Sequence, residues 1–514
     1  MAYRWGIPDN AQGKPVPKPP RSSTEDHKPQ PQAAKFVTGT PMKHIVVMSG
    51  TGAVGLMALF LVDLLDMFFI SLLGEVELAA AIGFAGTLIF FSTSASIGTS
   101  IAMGALVSRA LGANQRDKAR LVTVNVMIFA VMVSAALVYG MLSNLQALLA
   151  MIGAQGKVAD VATDYLTILL PSAPMIAISM SAGAALRGIG DARRSMYATL
   201  IGGGVNAVLD PLLIFGFSMG VEGAAIASVF ARLAVMLFSL HAIIVHHDLI
   251  SRPTFSAFFS SLLPISAIAL PAILTNTATP IGNAIVTSNI AQFGESFVAG
   301  YAVIGRIMPV SFALVFSLSG AIGPIIGQNF GAERWDRILR SLSDALLFVS
   351  GYCVLVSIIL WSSQDWLIAA FSLQGDAASI LSVFCSFIAI TFIFNGAMFV
   401  ANAAFNNLNR PTWSTVLNMG KATLGTIPFV WLGGKLGGAE GVLIGQAAGT
   451  IVFGIISGIL VVIQVRKMAA EHEQKREEPE ILEPSVPLTP FCSSRTYMGR
   501  EEVIEETLAA ETKS

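Results

Sequence analysis

The chain has 514 residues, of which 54% are hydrophobic and 12% are charged, and its formal net charge is −1. Soluble domains carry about 25% charged residues, so this composition excludes an ordinary soluble protein, and the near-zero net charge gives no reason to expect a nucleic-acid partner. The three cysteines are scattered and form neither a disulfide framework nor the spacing of a metal site. A membrane protein is the class that remains.

The two ends of the chain are more polar than the rest. Residues 1–43 are rich in proline and charge, and a segment of this kind cannot bury a core, so we predict a disordered cytoplasmic leader there. It is not a secretory signal peptide, because the first apolar run starts too late and is too long. Residues 466–514 are polar again and predict a cytoplasmic tail.

Between these ends the apolar residues form runs that can cross a bilayer, for which about 20 residues are needed. We predict an all-α membrane protein of twelve transmembrane helices, with an N-terminal lobe of six at 44–248 and a C-terminal lobe of six at 249–465. The predicted spans, numbered 1 to 12, are 45–73, 83–108, 121–144, 160–186, 195–217, 222–245, 263–291, 297–327, 340–362, 380–406, 413–433 and 440–465.

Charged residues in the short joints alternate in sign along the chain. Basic residues follow the even-numbered spans, whereas acidic residues predominate after the odd-numbered spans. Short cytoplasmic loops carry the excess of Lys and Arg, so both termini are predicted to be cytoplasmic, with the chain in the plasma (inner) membrane. The basic residues of this pattern are Arg116, Lys118, Arg120, Arg193, Arg194, Arg252, Arg334, Arg337 and Arg410.

The chain also repeats itself with an offset of 219 residues. The segment GALVSRALGANQRDK from Gly104 returns as GPIIGQNFGAERWDR from Gly323, and Gly112 then corresponds to Gly331. Because six spans separate the copies, both halves keep one orientation and are related by a pseudo-two-fold axis along the membrane normal. Two such bundles can open alternately to either side, which favours transport. Duplication that serves stability alone is the alternative.

Ionisable residues inside spans are informative because each costs ~2.5–3.5 kcal/mol at the bilayer centre. Span 1 holds Asp63 and Asp66 on neighbouring positions of one helical face. In span 5, Asn206 and Asp210 lie four residues apart, and Pro211 frees a backbone carbonyl beside them. Such hard oxygen ligands suit Na⁺ or a proton shared between carboxylates, and they do not suit a soft metal. For each of these residues, helix packing is the alternative.

The second half lacks matching acids. Gly74-Glu75 returns as Gly294-Glu295, an offset of 220 residues. At this offset Asn283 and Val286 stand at the positions related to Asp63 and Asp66, so the sequence predicts cation chemistry in the first lobe. The second half has Arg306 and Lys421 instead, and either base meets an anionic substrate group or extends toward the membrane surface.

The residues predicted to contact substrate are apolar and amide side chains with one base. Several Met and Phe side chains suit an adaptable apolar cavity, although ordinary helix packing explains them equally well. The predicted substrate-contact residues are Met175, Asn283, Phe312, Asn395, Met398 and Arg306.

Four segments of the chain carry a family resemblance: LRGIGDAR (186–193), VNAVLDPLLIFG (205–216), GVEGAAIAS (220–228) and DMFFISLLG (66–74). They resemble segments of the multidrug and toxin extrusion (MATE) family. The resemblance, which spans residues 40–465, implies a V-shaped transporter of two six-helix lobes that exports drugs or metabolites in exchange for H⁺ or Na⁺.

The family's cation site is carried over to this sequence by motif position. It falls on Asp66, Asn206 and Asp210, with a hydroxyl ligand at Ser228 and a neighbouring aromatic at Tyr165. Asp63 is an addition to the usual pattern. The second lobe has Asn395 and no acid well inside spans 7, 8, 10 or 11, which places the chain nearer the branch that uses the first lobe.

We therefore expect a monomeric secondary active exporter of small organic, cationic or amphipathic compounds, with H⁺ or Na⁺ as the coupling ion and no cofactor. A flippase for a lipid-linked intermediate is the alternative, but it would require a cationic central cavity. A membrane-embedded enzyme would require a compact catalytic motif, and the sequence shows none.

Overall fold

A computed structural model describes residues 34–71 and 76–477. Residues 1–33 of the predicted leader and the tail from residue 478 onward lie outside the described residues. Residues 34–43 are ordered and not disordered as predicted, with a 3₁₀ turn at Lys35–Val37, a buried Phe36 and the start of the first long helix at Pro41. The chain divides into two compact units, of which the first ends at Val465 and the second begins at Arg466. The described part of the second unit is helical as far as Glu477, and Lys467 and Glu471 form an ion pair 3.9 Å long within it.

The described residues form an almost entirely helical bundle in which each predicted span is present. Spans 1 to 6 comprise, in order, Pro41–Ser71, Val76–Gly112, Arg116–Ser143, Gly156–Leu169 with Ala173–Ile189, Ala192–Pro211, and Gly220–His241. Spans 7 to 10 comprise Phe255–Ala291, Glu295–Ser311 with Ala313–Gly331, Trp335–Ala370, and Gly375–Val383 with Phe392–Asn407. Pro411–Thr423 and Ile427–Glu477 contain spans 11 and 12.

Eleven helices of the described part are long and apolar enough to cross a membrane, and the last of them holds two spans. The chain reverses within it at Gly437 and Gly438, and Gly438 has a φ of +61°, a conformation that glycine adopts without a steric penalty. After the reversal the two spans pack tightly, because a Cβ on Gly433 would lie 2.0 Å from the Gly441 carbonyl oxygen. The prediction of twelve helices is therefore confirmed.

Several spans are interrupted where the sequence predicts continuous helices. Span 4 passes through a 3₁₀ turn at Leu170–Ser172, and span 5 ends in a π-helical turn at Leu212–Gly216, directly after Pro211. Span 8 breaks at Phe312, three residues after Pro309. Proline supplies no N–H and clashes with the preceding turn, so these breaks free backbone carbonyls within the bundle.

The joints after the even-numbered spans lie together at one end of the bundle, called here the basic end. Arg116 donates to the His247 carbonyl oxygen at 2.6 Å, and Arg109 donates to Asn409 Oδ1 at 3.0 Å. Arg120 pairs with Asp248, and this hydrogen bond holds the pKa of Asp248 below its ordinary value. The loop charges therefore share one end, as the alternating pattern predicts, and the cytoplasmic location of that end stays a prediction.

Candidate cation site and central cavity

Three of the predicted cation ligands meet between spans 1 and 5. The Asn206 Nδ2 atom donates to Asp66 Oδ1 at 2.8 Å and to Asp210 Oδ2 at 2.6 Å, so one amide bridges the two carboxyl groups. Asn206 reaches Asp210 because residues four apart share a helical face. Span 1 comes close at this level because span 5 presents Gly203, where a Cβ would lie 3.0 Å from Val62.

Burial makes this carboxyl pair costly to ionise. Asp210 is 1% exposed and Asn206 is 4% exposed, whereas Asp66 is half-buried. The Asp210 Oδ1 atom is buried and has no hydrogen-bond partner among the described residues. Two adjacent carboxylates repel each other unless a proton or a cation lies between them, so this set of oxygens suits H⁺ or Na⁺.

Asp63 takes no part in the amide bridge, but it lies close enough to Asp66 for the two charges to interact. Its side chain is exposed on span 1, and the amide of Asn206 donates to Asp66 and Asp210 instead. Among the parts of the chain that the structure describes, no three His, Cys, Asp or Glu side chains are grouped to hold a metal ion. The candidate site therefore consists of two carboxyl groups and one amide.

Tyr165 and Ser228 lie beside the carboxyl pair, as the resemblance implies. The buried Tyr165 hydroxyl is hydrogen-bonded to Ser228 and is close enough to Asp66 and Asp210 to interact with their charges. Arg232, which the sequence analysis missed, lies one turn beyond Ser228 in span 6. Its signal in the sequence was a base inside an apolar span.

Arg232 stabilises the break in span 4. Its Nη1 atom donates to the Leu169 carbonyl oxygen at 3.1 Å and to Ser172 Oγ at 2.7 Å. The carbonyl is available because the chain forms a 3₁₀ turn there, in which the Ala173 N–H donates to the Leu170 carbonyl oxygen instead. Arg232 thus fixes the part of span 4 that follows Tyr165 and adds a positive charge near the Tyr165 hydroxyl.

The predicted substrate-contact residues do not form one cavity. Asn283 and Arg306 are exposed, Met175 is half-buried, and Asn395 accepts a hydrogen bond from Lys421 Nζ at 2.6 Å. Phe312 and Met398 are buried within the second half. There Phe312 stacks on Phe392 with ring centroids 4.0 Å apart.

A cavity of about 160 Å³, lined by polar and apolar residues alike, lies between the two halves, and none of the six predicted substrate-contact residues lines it. Spans 2 and 4 contribute small residues and Arg187, whereas the spans of the second half contribute hydroxyl and amide groups. Its polar lining residues are Ser100, Arg187, Thr275, Asn276, Thr279, Ser319, Asn402, Asn406, Asn407 and Asn418. We call this the central cavity. The signal that could have revealed it is the run of asparagines from Asn402 to Asn409 in an otherwise apolar span.

The repeated motif closes the bundle at the basic end. A Cβ on Gly112 would lie 2.0 Å from the Gln328 carbonyl oxygen, and one on Gly331 would lie 2.1 Å from the Arg109 carbonyl oxygen. Spans 2 and 8 therefore cross with their backbones in contact at two glycines that the repeat relates. We call this contact the glycine crossing.

The segment before span 1, Lys35–Gly39, bridges the two halves beside the glycine crossing. The Phe36 N–H donates to Gln328 Oε1 at 2.8 Å, and Lys35 Nζ donates to the Gly190 carbonyl oxygen at 2.7 Å. Arg337 in turn donates to the carbonyl oxygens of Phe36 and Gly39, each at 3.0 Å. These contacts hold the basic end closed.

A second polar cluster at the basic end contains Asp191, Arg194 and His247. Asp191 caps span 5 and pairs with Arg194, and its Oδ2 atom lies 2.8 Å from His247 Nε2. Burial tends to raise the pKa of Asp191, but the hydrogen bonds from His247 and Arg194 outweigh it and hold that pKa well below its ordinary value. The carboxylate is therefore ionised throughout the physiological range.

Comparison with known proteins identifies relatives of both halves. The MatE family model matches the chain twice, at residues 53–212 and 271–432. The chain is 27% identical over 414 residues to a protein of Shewanella oneidensis named FAD transporter, and the match covers 79% of this chain and 91% of that protein. It is 22% identical over 394 residues to the multidrug export protein MepA of Staphylococcus aureus, with 76% of this chain and 86% of that protein covered.

Solved structures show the same fold. The structure described as the outward-facing conformation of a multidrug resistance MATE family transporter matches with a TM-score of 0.79 at 22% identity, covering 86% of this chain and 99% of that one. A Vibrio cholerae MATE transporter matches with a TM-score of 0.79 at 23% identity and covers 83% of this chain and 97% of that one. The two family matches begin 218 residues apart, which agrees with the repeat found in the sequence.

Proposed function

Since the chain belongs to the MatE family, we propose that it is a secondary active transporter that exports small organic compounds from the cell in exchange for H⁺ or Na⁺. The relatives named as a FAD transporter and a multidrug export protein support a small organic substrate. Neither name is that of a flippase for lipid-linked intermediates or of an enzyme, which favours a small-molecule transporter over both alternatives.

The observation that carries the proposal is the amide bridge between Asp66 and Asp210. Asn206 donates to both carboxyl groups, while Asp210 Oδ1 remains buried without a partner among the described residues. A proton or Na⁺ at this oxygen removes the repulsion between the two carboxylates and supplies the missing partner. Entry of one positive charge down the membrane potential releases ~2.3 kcal/mol per 100 mV, which is available to drive export.

The position of span 1 explains how cation binding reaches the second half. Span 1 carries Asp66 and also contacts span 8, where Ser317 Oγ donates to the Ser49 carbonyl oxygen at 2.8 Å and Ser317 occupies the space beside Gly52. A cation that draws Asp66 toward Asp210 therefore acts on the span that joins the two halves. We infer that this movement changes which end of the bundle is open.

The conformation described here is closed at the basic end by the glycine crossing. If the basic end is cytoplasmic, as the loop charges predict, this conformation is the outward-facing one. In this state a cation from outside reaches the carboxyl pair, and its binding favours release of the substrate. The deprotonated or cation-free pair then favours the return to the inward-facing state. The transporter works as a monomer in this scheme, because both halves come from one chain.

The test uses purified protein in sealed vesicles, with a pH gradient and a Na⁺ gradient imposed separately. The substitution Asp210→Asn removes the charge at nearly constant volume, and we expect gradient-driven transport of an ethidium or FAD probe to fall at least about tenfold. Asp164→Asn is the matched control, since Asp164 is an exposed acid of span 4. Retention of coupled transport by Asp210→Asn would overturn the proposal, and the gradient that drives the wild-type protein identifies the ion.

A further inference from the structure

We propose that the central cavity binds an anionic group of the substrate, a phosphate or a carboxylate, between the Arg187 guanidinium and the asparagine amides of the second half. The inference rests on the proposed transport function and concerns its substrate class. It differs from the cationic or amphipathic substrate that the sequence predicts.

Arg187 supplies the only formal charge among the residues that line the cavity. Side chains in a helix point back toward its N-terminus, so Arg187, near the end of span 4, extends from there into the bundle. It reaches the second half, because a Cβ on Gly320 would lie 3.7 Å from its Nε atom. One hydrogen bond fixes it, from Nη1 to Ser195 Oγ at 2.9 Å.

This guanidinium has no counter-ion in the described structure. No Asp or Glu lines the cavity, and Arg187 forms no ion pair with any described carboxylate. Removing a charge from water without a partner is costly, so an uncompensated base inside a membrane bundle marks a site where an anion arrives. The same charge repels a cationic substrate from this cavity.

The second half contributes amides whose hydrogen-bonding groups are not fully used. Asn406 is 5% exposed, and its Oδ1 atom is buried without a partner among the described residues. Asn418 Nδ2 donates to Asn402 Oδ1 at 2.9 Å. This bond occupies the oxygen of the Asn402 amide and fixes the amide so that its Nδ2 group points the other way. The Asn406 amide also lines the cavity, and an amide nitrogen carries two N–H donors for a bound anion.

The size of the cavity restricts what enters. The central cavity has a volume of about 160 Å³. Pockets for whole drug-sized ligands are about 300–1,000 Å³. Only the charged group of a substrate fits, and the remainder of the molecule lies outside the cavity.

Equilibrium binding to the purified protein in detergent tests the proposal without any gradient. Riboflavin and its monophosphate form a matched pair of fluorescent probes that differ by one phosphate, carboxyfluorescein tests a carboxylate, and ethidium tests a cation. We expect the monophosphate to bind at least about tenfold more tightly than riboflavin, since a charge-assisted contact is worth that much. In Arg187→Gln this preference disappears while ethidium binding does not weaken, and Arg187→Lys restores part of it.

A second variant keeps the test independent of Arg187. Asn406→Asp is nearly isosteric and places a negative charge in the cavity, so it should weaken anion binding without weakening the binding of ethidium. The proposal is overturned if riboflavin and its monophosphate bind with equal affinity and carboxyfluorescein binds no more tightly than riboflavin. It is also overturned if Arg187→Gln weakens the binding of the anionic probes and of ethidium by the same factor. Asp210→Asn should bind the monophosphate normally but fail to couple transport, which separates this inference from the proposed function.

Discussion

Replacement of Gly112 by alanine should prevent the basic end from closing. Spans 2 and 8 cross there with their backbones in contact, and Gly112 faces the Gln328 carbonyl group. The added methyl group has no flexible side chain to displace, because its neighbour is backbone. The substitution therefore acts on one conformation only, the one in which the basic end is closed.

The size of the effect follows from the distance. The new Cβ would lie 2.0 Å from the Gln328 oxygen, whereas unstrained carbon–oxygen contacts are about 3.3–3.6 Å. The helices must therefore separate by more than about 1 Å, and overpacking of this kind costs typically 1–3 kcal/mol. A cost of about 2 kcal/mol changes the ratio of closed to open molecules roughly 30-fold.

Distances between spin labels measure this ratio directly. Labels at Gln115 and Arg334, both exposed at the basic end, are introduced into a variant without its three native cysteines. We expect Gly112→Ala to move the distance distribution to longer values and to abolish coupled transport. Gly140→Ala is the control, because nothing lies within 4 Å of the added methyl group. An unchanged distance distribution in Gly112→Ala would refute the assignment of the glycine crossing as the closed gate.

Three further predictions concern other contacts. Phe36→Ala should open the basic end and increase the labelling of a cysteine introduced there, since Phe36 is 1% exposed and loss of a buried Phe costs about 3–5 kcal/mol. Phe255→Ala, at an exposed position, should not change this labelling. Asp191→Asn should lower the melting temperature at pH 7. Because the pKa of that carboxyl is depressed, the deficit should persist down to its ordinary pKa of about 3.9 and shrink only below it; a deficit that has already disappeared at pH 5 would contradict this. Gly441→Ala should destabilise the hairpin of spans 11 and 12, whereas Gly458→Ala, with open space beside it, should be tolerated in the same thermal assay.

The twelve spans were predictable because a bilayer fixes both the length and the polarity of each helix. The pairing of Asn206 with Asp210 was predictable for a similar reason, since a spacing of four residues places them on one helical face. That Asp66 joins them did not follow from spacing. It depends on spans 1 and 5 packing together, and only the resemblance to a family predicted it.

The central cavity was not predicted because its lining residues come from distant parts of the chain. Arg187, Asn276 and Asn418 belong to three different spans, and nothing in their spacing brings them together. The apolar candidates stay a prediction, and the sequence could not decide their role for a different reason. A Met or Phe in an apolar span serves equally for packing or for contact with a ligand, and the structure places Phe312 and Met398 in helix packing. Sequence periodicity does not distinguish these two uses.

The feature that closes the basic end is shared by the two halves of the chain, whereas the features that bind cation and substrate each belong to one half. The glycine crossing uses Gly112 and Gly331, which the repeat relates, so both halves contribute alike to closure. The carboxyl pair lies in the first half alone, and the amides of the central cavity come from the second half alone. Duplication explains the first feature and divergence of the two copies explains the others. It follows that a change at the glycine crossing should alter cation and substrate binding together, whereas a change at Asp210 or Arg187 should alter one and leave the other intact.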